Sequence, residues 1–276
     1  LLNELDQYQQ LHDLYHPRLP ALEAALPPNS TDLATAYNYY GIALKKLGHY
    51  SDALAYGQKA LSIQQAELPA DCVELAYSYN NVGSAHGRLG NFRTALEYKL
   101  KALEILQNAL PPDHPDLVKS CNNVGRTYND LGLHQKALEY GLMALDICKR
   151  TLSPDHPDLA SSYHNIGHSY GGLGRHHDAL EYHQKALAIY EKTMPPDHPN
   201  LATAYNNLGC TYGDLSDHRK ELEYQLKALA ILEKVLPPDH PNLAAAHNNL
   251  GCTYGQLGNY QKELEYKLKA LNIWEK

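Results

Sequence analysis

Sixteen histidines and five cysteines are the residues of this chain most able to do chemistry, and their spacing excludes most of it. His114, His156, His198 and His240 each precede a proline and recur every 42 residues. Copies one helix-packing step apart lie on the order of 10 Å from each other, whereas zinc holds nitrogen ligands at roughly 2.0–2.1 Å. The four cannot share an ion and read as turn residues. His164 and His168 differ, because an i, i+4 pair faces one way on a helix, and His176, His177 and His183 stand in the same copy. They offer at most a weak zinc or nickel site, with no carboxylate or thiolate to complete it. Cys72, Cys121, Cys148, Cys210 and Cys252 form no CxxC pair. Cys210 and Cys252 are a whole copy apart, too far for a disulfide that needs Cα atoms within about 7 Å. They read as the reduced thiols of a cytoplasmic protein. No Ser-His-Asp ordering, phosphate-cradling glycine loop or isolated carboxylate pair stands apart from the repetition. Neither an enzyme nor a cofactor is expected. What remains is a recurring set of amides and bases, whose chemistry is recognition.

The elements that must position them follow from the period. Gly41, Gly83, Gly125, Gly167, Gly209 and Gly251 are each 42 apart, and Tyr56, Tyr98, Tyr140, Tyr182, Tyr224 and Tyr266 keep the same step. Internal repetition of this kind means an array of supersecondary units. It also accounts for 22 tyrosines against one phenylalanine, since copying multiplies whatever the first unit held.

Each unit reads as two helices. The first starts at the proline of Asp-His-Pro (Pro115, Pro157, Pro199, Pro241), where a missing N–H costs nothing. Leu33, Tyr37, Tyr40 and Leu44 recur as one apolar stripe. Leu-Gly pairs such as Leu47-Gly48 and Leu131-Gly132 end this helix, with Leu215-Ser216 as the departure in the fifth copy. The second helix carries Ala-Leu-Glu-Tyr-x-x-Lys-Ala-Leu, as at 95–103, and sets Glu four residues before Lys on an exposed face. Double prolines at 111–112, 195–196 and 237–238 stop it. Six such units fill residues 32–276, behind a degenerate half-unit and linker at 1–31. There Leu5, Tyr8, Leu19 and Leu26 keep the register, and Pro17 and Pro20 break the helix. The chain begins without methionine and ends inside a repeat, so it is expected to be a piece of a longer protein. Leu271, Ile273 and Trp274 then leave an apolar edge at the last repeat, suited to self-association.

The stretch Tyr205-Asn-Asn-Leu-Gly-Cys-Thr-Tyr212 resembles the tetratricopeptide consensus. The 42-residue length and the linker Leu-Pro-Pro-Asp-His-Pro-Asp-Leu resemble the variant of kinesin light chains. This resemblance implies an all-α, right-handed α-solenoid of helix-turn-helix repeats, with first helices lining a concave peptide groove.

If the stripe at Leu33, Tyr37, Tyr40 and Leu44 faces the core, then Thr35, Asn38, Ile42 and Lys45 face the groove. One column of groove residues is then Asn38, Asn80, Asn122, His164, Asn206 and Asn248. Amides carry both donors and acceptors and suit a peptide backbone; duplication would keep the same column if it bonded neighbouring helices or water instead. Asn81, Asn123, Asn165, Asn207 and Asn249 read as bridges between repeats. Lys45, Lys46, Arg88, Lys119 and Arg126 make the groove of the first three repeats basic, although the chain as a whole carries −7. The expected partner is therefore a protein or peptide with an acidic portion. A scattered solvated surface is the plainer account of the same charges. Interleaved charges of both signs disfavour nucleic acid, and no apolar run approaches the 18 residues that a membrane span needs. The competing expectations are a self-associating spacer without a ligand and a regulatory array of a larger protein.

Overall fold

The computed structural model describes residues 4–275. The side chain of Leu5 and the terminal Lys276, both used above to frame the repeats, lie outside the described residues. The described residues form fourteen helices and no strand. They divide into two compact units, 1–133 and 134–276.

The first unit holds α1 (Glu4–Tyr15), α2 (Leu19–Ala25), α3 (Thr31–Lys46), α4 (Tyr50–Glu67), α5 (Val73–Arg88), α6 (Phe92–Ala109) and α7 (Pro115–Asp130). Successive helices pack on one another from α3 to α7, and α1 and α2 lie against α3. The second unit holds α8 (His134–Thr151), α9 (Pro157–Gly172), α10 (His176–Thr193), α11 (Pro199–Asp214), α12 (His218–Val235), α13 (Pro241–Gln256) and α14 (Tyr260–Trp274), again packed in sequence.

The expected stripe is the core of the first unit: Leu33, Tyr37, Tyr40 and Leu44 are buried beside Ala53, Ala60 and Leu19. Each fully buried side chain of this size contributes roughly 1.5–3 kcal/mol. Tyr56 of α4 meets Tyr40 edge-on at 4.9 Å, and Tyr224 stacks on Tyr212 at 5.5 Å in the second unit. The tyrosine column is thus ring packing between the two helices of a unit. Pro17 falls in the turn between α1 and α2, and Pro20 in the first turn of α2.

Local signals set the helix ends. Pro115, Pro157, Pro199 and Pro241 each open a helix, and the histidine before each is its N-cap. The imidazole Nδ1 accepts the backbone N–H two residues on, at 3.1–3.2 Å. An orphan donor of the first turn is thereby satisfied. The linker histidines are therefore caps as well as turn residues. At the other end Gly48, Gly90, Gly132, Gly174 and Gly258 adopt positive φ as expected, and Ser216 does so at 62° without glycine's freedom. The next residue closes the motif, as His49 N–H does on the Leu44 carbonyl at 2.9 Å.

Candidate functional site

The polar face of the first helices in the first unit splits into two places. Around the middle of these helices, Asn38, Asn80, Tyr39, Ile42, Tyr77 and Lys119 line a cavity of about 400 Å³. The Asn38 amide is already engaged there: its Nδ2 donates to Ser78 Oγ at 2.6 Å, and Ser78 passes its own hydrogen to Gln64. The Oδ1 atoms of Asn38 and Asn80 are buried without a hydrogen-bond partner among the described residues. Asn122, third in the predicted column, is buried. Lys119 sits on this side, 3.6 Å from Asp116.

Near the helix ends a second group gathers. Lys45 is half-buried, while Lys46, Arg88 and Arg126 are exposed. Lys46 lies over the Tyr8 ring at 5.3 Å, and Arg126 donates to Asn123 Oδ1 at 3.2 Å. Burial, followed by the charges of Lys46, Arg88 and Arg126, pushes the Lys45 ammonium down to about 8. Of the five predicted basic residues, four therefore converge and Lys119 stands apart.

Sequence reasoning missed a fifth member, Lys99 of α6, which is only 3% exposed. Its Nζ donates to Thr127 Oγ1 of α7 at 2.7 Å. Burial pushes this ammonium down to about 8 too, with Arg126, Lys45 and Arg88 acting in the same direction and Asp130 against them. A signal for Lys99 was present in the column Gly57, Lys99, Gly141, His183, Gln225 and Lys267. That column varies between copies as a specificity position should, but it lies on the second helix.

In the second unit, His164 contacts the Asn207 amide through Nδ1 at 3.2 Å, and its ring centroid lies 5.7 Å from that of His183. Asn207 thus bridges repeats, as expected of its column. Asn206 reaches Cys210 Sγ at 3.9 Å and lines a cavity of about 200 Å³ with Thr203, Leu232 and Asn249. Asn248 is half-buried. His134, His168, His183, Cys210 and Asp214 border another cavity of about 300 Å³. Among the described residues, however, no group of three or more His, Cys, Asp or Glu side chains is arranged to hold a metal ion. Gly213 and Gly255 leave room for the carboxylates of Glu221 and Glu263.

The geometry is that of a repeated helix pair whose first helices carry the asparagine and basic columns. The Tetratricopeptide repeat profile matches residues 32–108, 74–149, 119–192, 173–234 and 222–276. Among solved structures, BtubC (BKLC) from P. vanneervenii is similar, with a TM-score of 0.63 and 22% identity over 83% of this chain and 89% of that one. A Podosopora anserina putative kinesin light chain with nearly identical TPR-like repeats aligns with a TM-score of 0.60 and 24% identity, over 74% and 96%. A Rap protein complexed with Competence and Sporulation Factor aligns with a TM-score of 0.67 and 18% identity, over 98% and 78%. These identities speak for the fold alone. No curated protein sequence matches the chain. No helix among the described residues is long and apolar enough to cross a membrane. Repeats of this kind are generally protein-interaction scaffolds, and the profile runs through the 42-residue copies with their proline starts, glycine ends and tyrosine packing. The chain belongs to the tetratricopeptide-repeat family, with copies 42 residues long.

Proposed function

We propose that this chain is a non-catalytic scaffold that holds a segment of a partner protein along its first helices, in six repeats over residues 32–276. The asparagine column (Asn38, Asn80, Asn122, Asn206 and Asn248, with His164 as its one imidazole) faces the backbone of that segment. An acidic portion of the segment lies over the cations of the first unit. The observation that carries this reading is the convergence of Lys45, Arg88, Lys99 and Arg126, with Asp130 the one carboxylate acting on Lys99. A surface of solvated charges in a chain of net −7 would intersperse its signs. Similarity of fold to a Rap protein solved with Competence and Sporulation Factor supports a ligand-holding array. Five free cysteines support a reducing, cytoplasmic setting.

A cellulose array of acidic, neutral and basic peptides tests the reading. The wild-type chain is expected to label acidic spots preferentially, and Arg88→Glu with Arg126→Glu to lose them. Unchanged labelling by the double variant would sink it.

A second activity, self-association, is supported by one feature. In this chain α14 exposes Leu264, Leu268, Leu271 and Trp274 together, an apolar strip suited to a second copy.

A further inference from the structure

The second helix of several repeats sends one side chain across a glycine of the first. A Cβ on Gly83 would stand 3.1 Å from Lys99 Cγ, on Gly209 3.3 Å from Gln225 Cγ, and on Gly251 2.9 Å from Lys267 Cγ. Two of these side chains bond to the next repeat at the same place: Lys99 donates to Thr127 Oγ1, and Gln225 Oε1 accepts from Thr253 Oγ1 at 2.9 Å. A neutral glutamine therefore suffices for the link. The charge on Lys99 serves something else.

In the last repeat a carboxylate accompanies such a charge. Lys267 pairs with Glu263, one turn earlier, at 2.5 Å, and Glu263 lies so close over Gly255 that a Cβ there would stand 2.5 Å from Oε2. Glu221 occupies the same place over Gly213 in the fifth repeat. In the second repeat the equivalent residue is Ala95, and a Cβ on Gly87 would meet only the Ala95 Cβ, at 3.7 Å. The place of a carboxylate is thus open beside a buried ammonium. An unpaired buried charge is costly, and burial with three neighbouring cations holds Lys99 well below the usual lysine range.

We propose that the space over Gly87 and Ala95 is an oxyanion subsite in which Lys99, Arg88 and Arg126 receive a carboxylate side chain of the partner. It is the intermolecular counterpart of Glu263 on Lys267. This deepens the groove reading above and rests on it for the source of the carboxylate. Three cations against Asp130 leave a net positive site, so the incoming side chain relieves repulsion as well as forming hydrogen bonds.

Two variants copied from the molecule itself test the subsite. Lys99→Gln keeps a link of the Gln225 kind to Thr127 without the charge. Ala95→Glu supplies an internal carboxylate, with Gly87 making room as Gly255 does for Glu263. Fluorescence anisotropy is measured with labelled Gly-Glu-Glu-Glu-Gly and with its glutamine and phosphoserine counterparts. Sodium acetate is titrated separately against chloride at constant ionic strength, and the Lys99 13Cε signal is followed through its pH titration. The expected results are glutamate-peptide binding weakened at least tenfold by each variant, and an upward shift of the Lys99 titration in acetate. If Arg88→Glu with Arg126→Glu weakens the peptide but neither Lys99→Gln nor Ala95→Glu does, the subsite is wrong and the groove reading stands. If acetate shifts Lys99 while no acidic peptide binds, the groove reading falls and the partner is overturned as the source of the carboxylate. An indifferent Lys99 in acetate, or binding confined to the phosphoserine peptide, overturns the carboxylate assignment.

Discussion

His183 illustrates how the same position changes chemistry from copy to copy. It takes the place of Lys99 and Gln225 in the fourth repeat, packed over Gly167 and 5% exposed. Burial, assisted by His164 and His168, pushes its imidazole down to about 3. The unfolded chain takes up a proton here as pH falls below about 6.5, while the folded chain stays neutral until about 3. Stability from this residue is therefore complete above pH 6.5 and declines as the solution is acidified. Urea unfolding of the wild type and of His183→Gln should keep a constant difference above pH 7. By pH 4 that difference should move on the order of 3 kcal/mol in favour of the variant. A difference independent of pH would show that His183 is solvated. The sequence displays this column plainly as Gly, Lys, Gly, His, Gln, Lys, but not its burial, because a helical stripe assigns a face and says nothing of which glycine opposite will admit the side chain. For the same reason Lys99 was not legible, whereas Lys45, Arg88 and Arg126, on the face already argued to be polar, were.

At the scale of the element, most of the sequence signals act locally and were legible. A proline at the first position and a glycine at the end depend only on φ and on missing hydrogen bonds, so they carry over from sequence to structure without tertiary knowledge. The histidine caps were harder to read. Histidine is a weak cap candidate by type, and only the geometry of Asp-His-Pro-Asp brings Nδ1 to the N–H two residues on. Removing one such cap should cost about 1 kcal/mol. His156→Ala is therefore expected to lower the denaturant midpoint, and His156→Asn, which supplies an amide oxygen at the same place, to recover most of the loss. Equal stability of the alanine and asparagine variants would mean that Pro157 alone fixes the start of α9. Functionally, the caps set where each first helix begins, and hence where the polar residues one and two turns later come to lie.

Across the whole molecule, stability is the sum of helix pairs and their neighbour contacts, and α14 of this chain carries an exposed apolar strip. The period made the repeated pairs legible, because 42 residues with constant glycine and tyrosine registers admit few alternatives. The period cannot set how strongly an exposed apolar strip associates, since that depends on area. In α14, Leu264 is 61% exposed and Trp274 56%. A helix of fifteen residues is about 22 Å long, so a strip one side chain wide offers only a few hundred Å², short of the roughly 800 Å² per partner of a stable interface. Two copies meeting through α14 should therefore associate weakly, with a dissociation constant between about 0.1 and 1 mM, or roughly 4–5.5 kcal/mol. Sedimentation velocity should show a monomer at low micromolar concentration and a reversible dimer as the concentration approaches that range. Leu264→Glu with Leu268→Glu changes only side chains that are already exposed, and should abolish the dimer while leaving the helical circular dichroism unchanged. A monomer at every concentration would rule out the strip as a self-association surface, and a dimer indifferent to both substitutions would place the contact elsewhere. The acidic-peptide measurements are cleanest below the association range, where the cations of the first unit are read on a single copy of the chain.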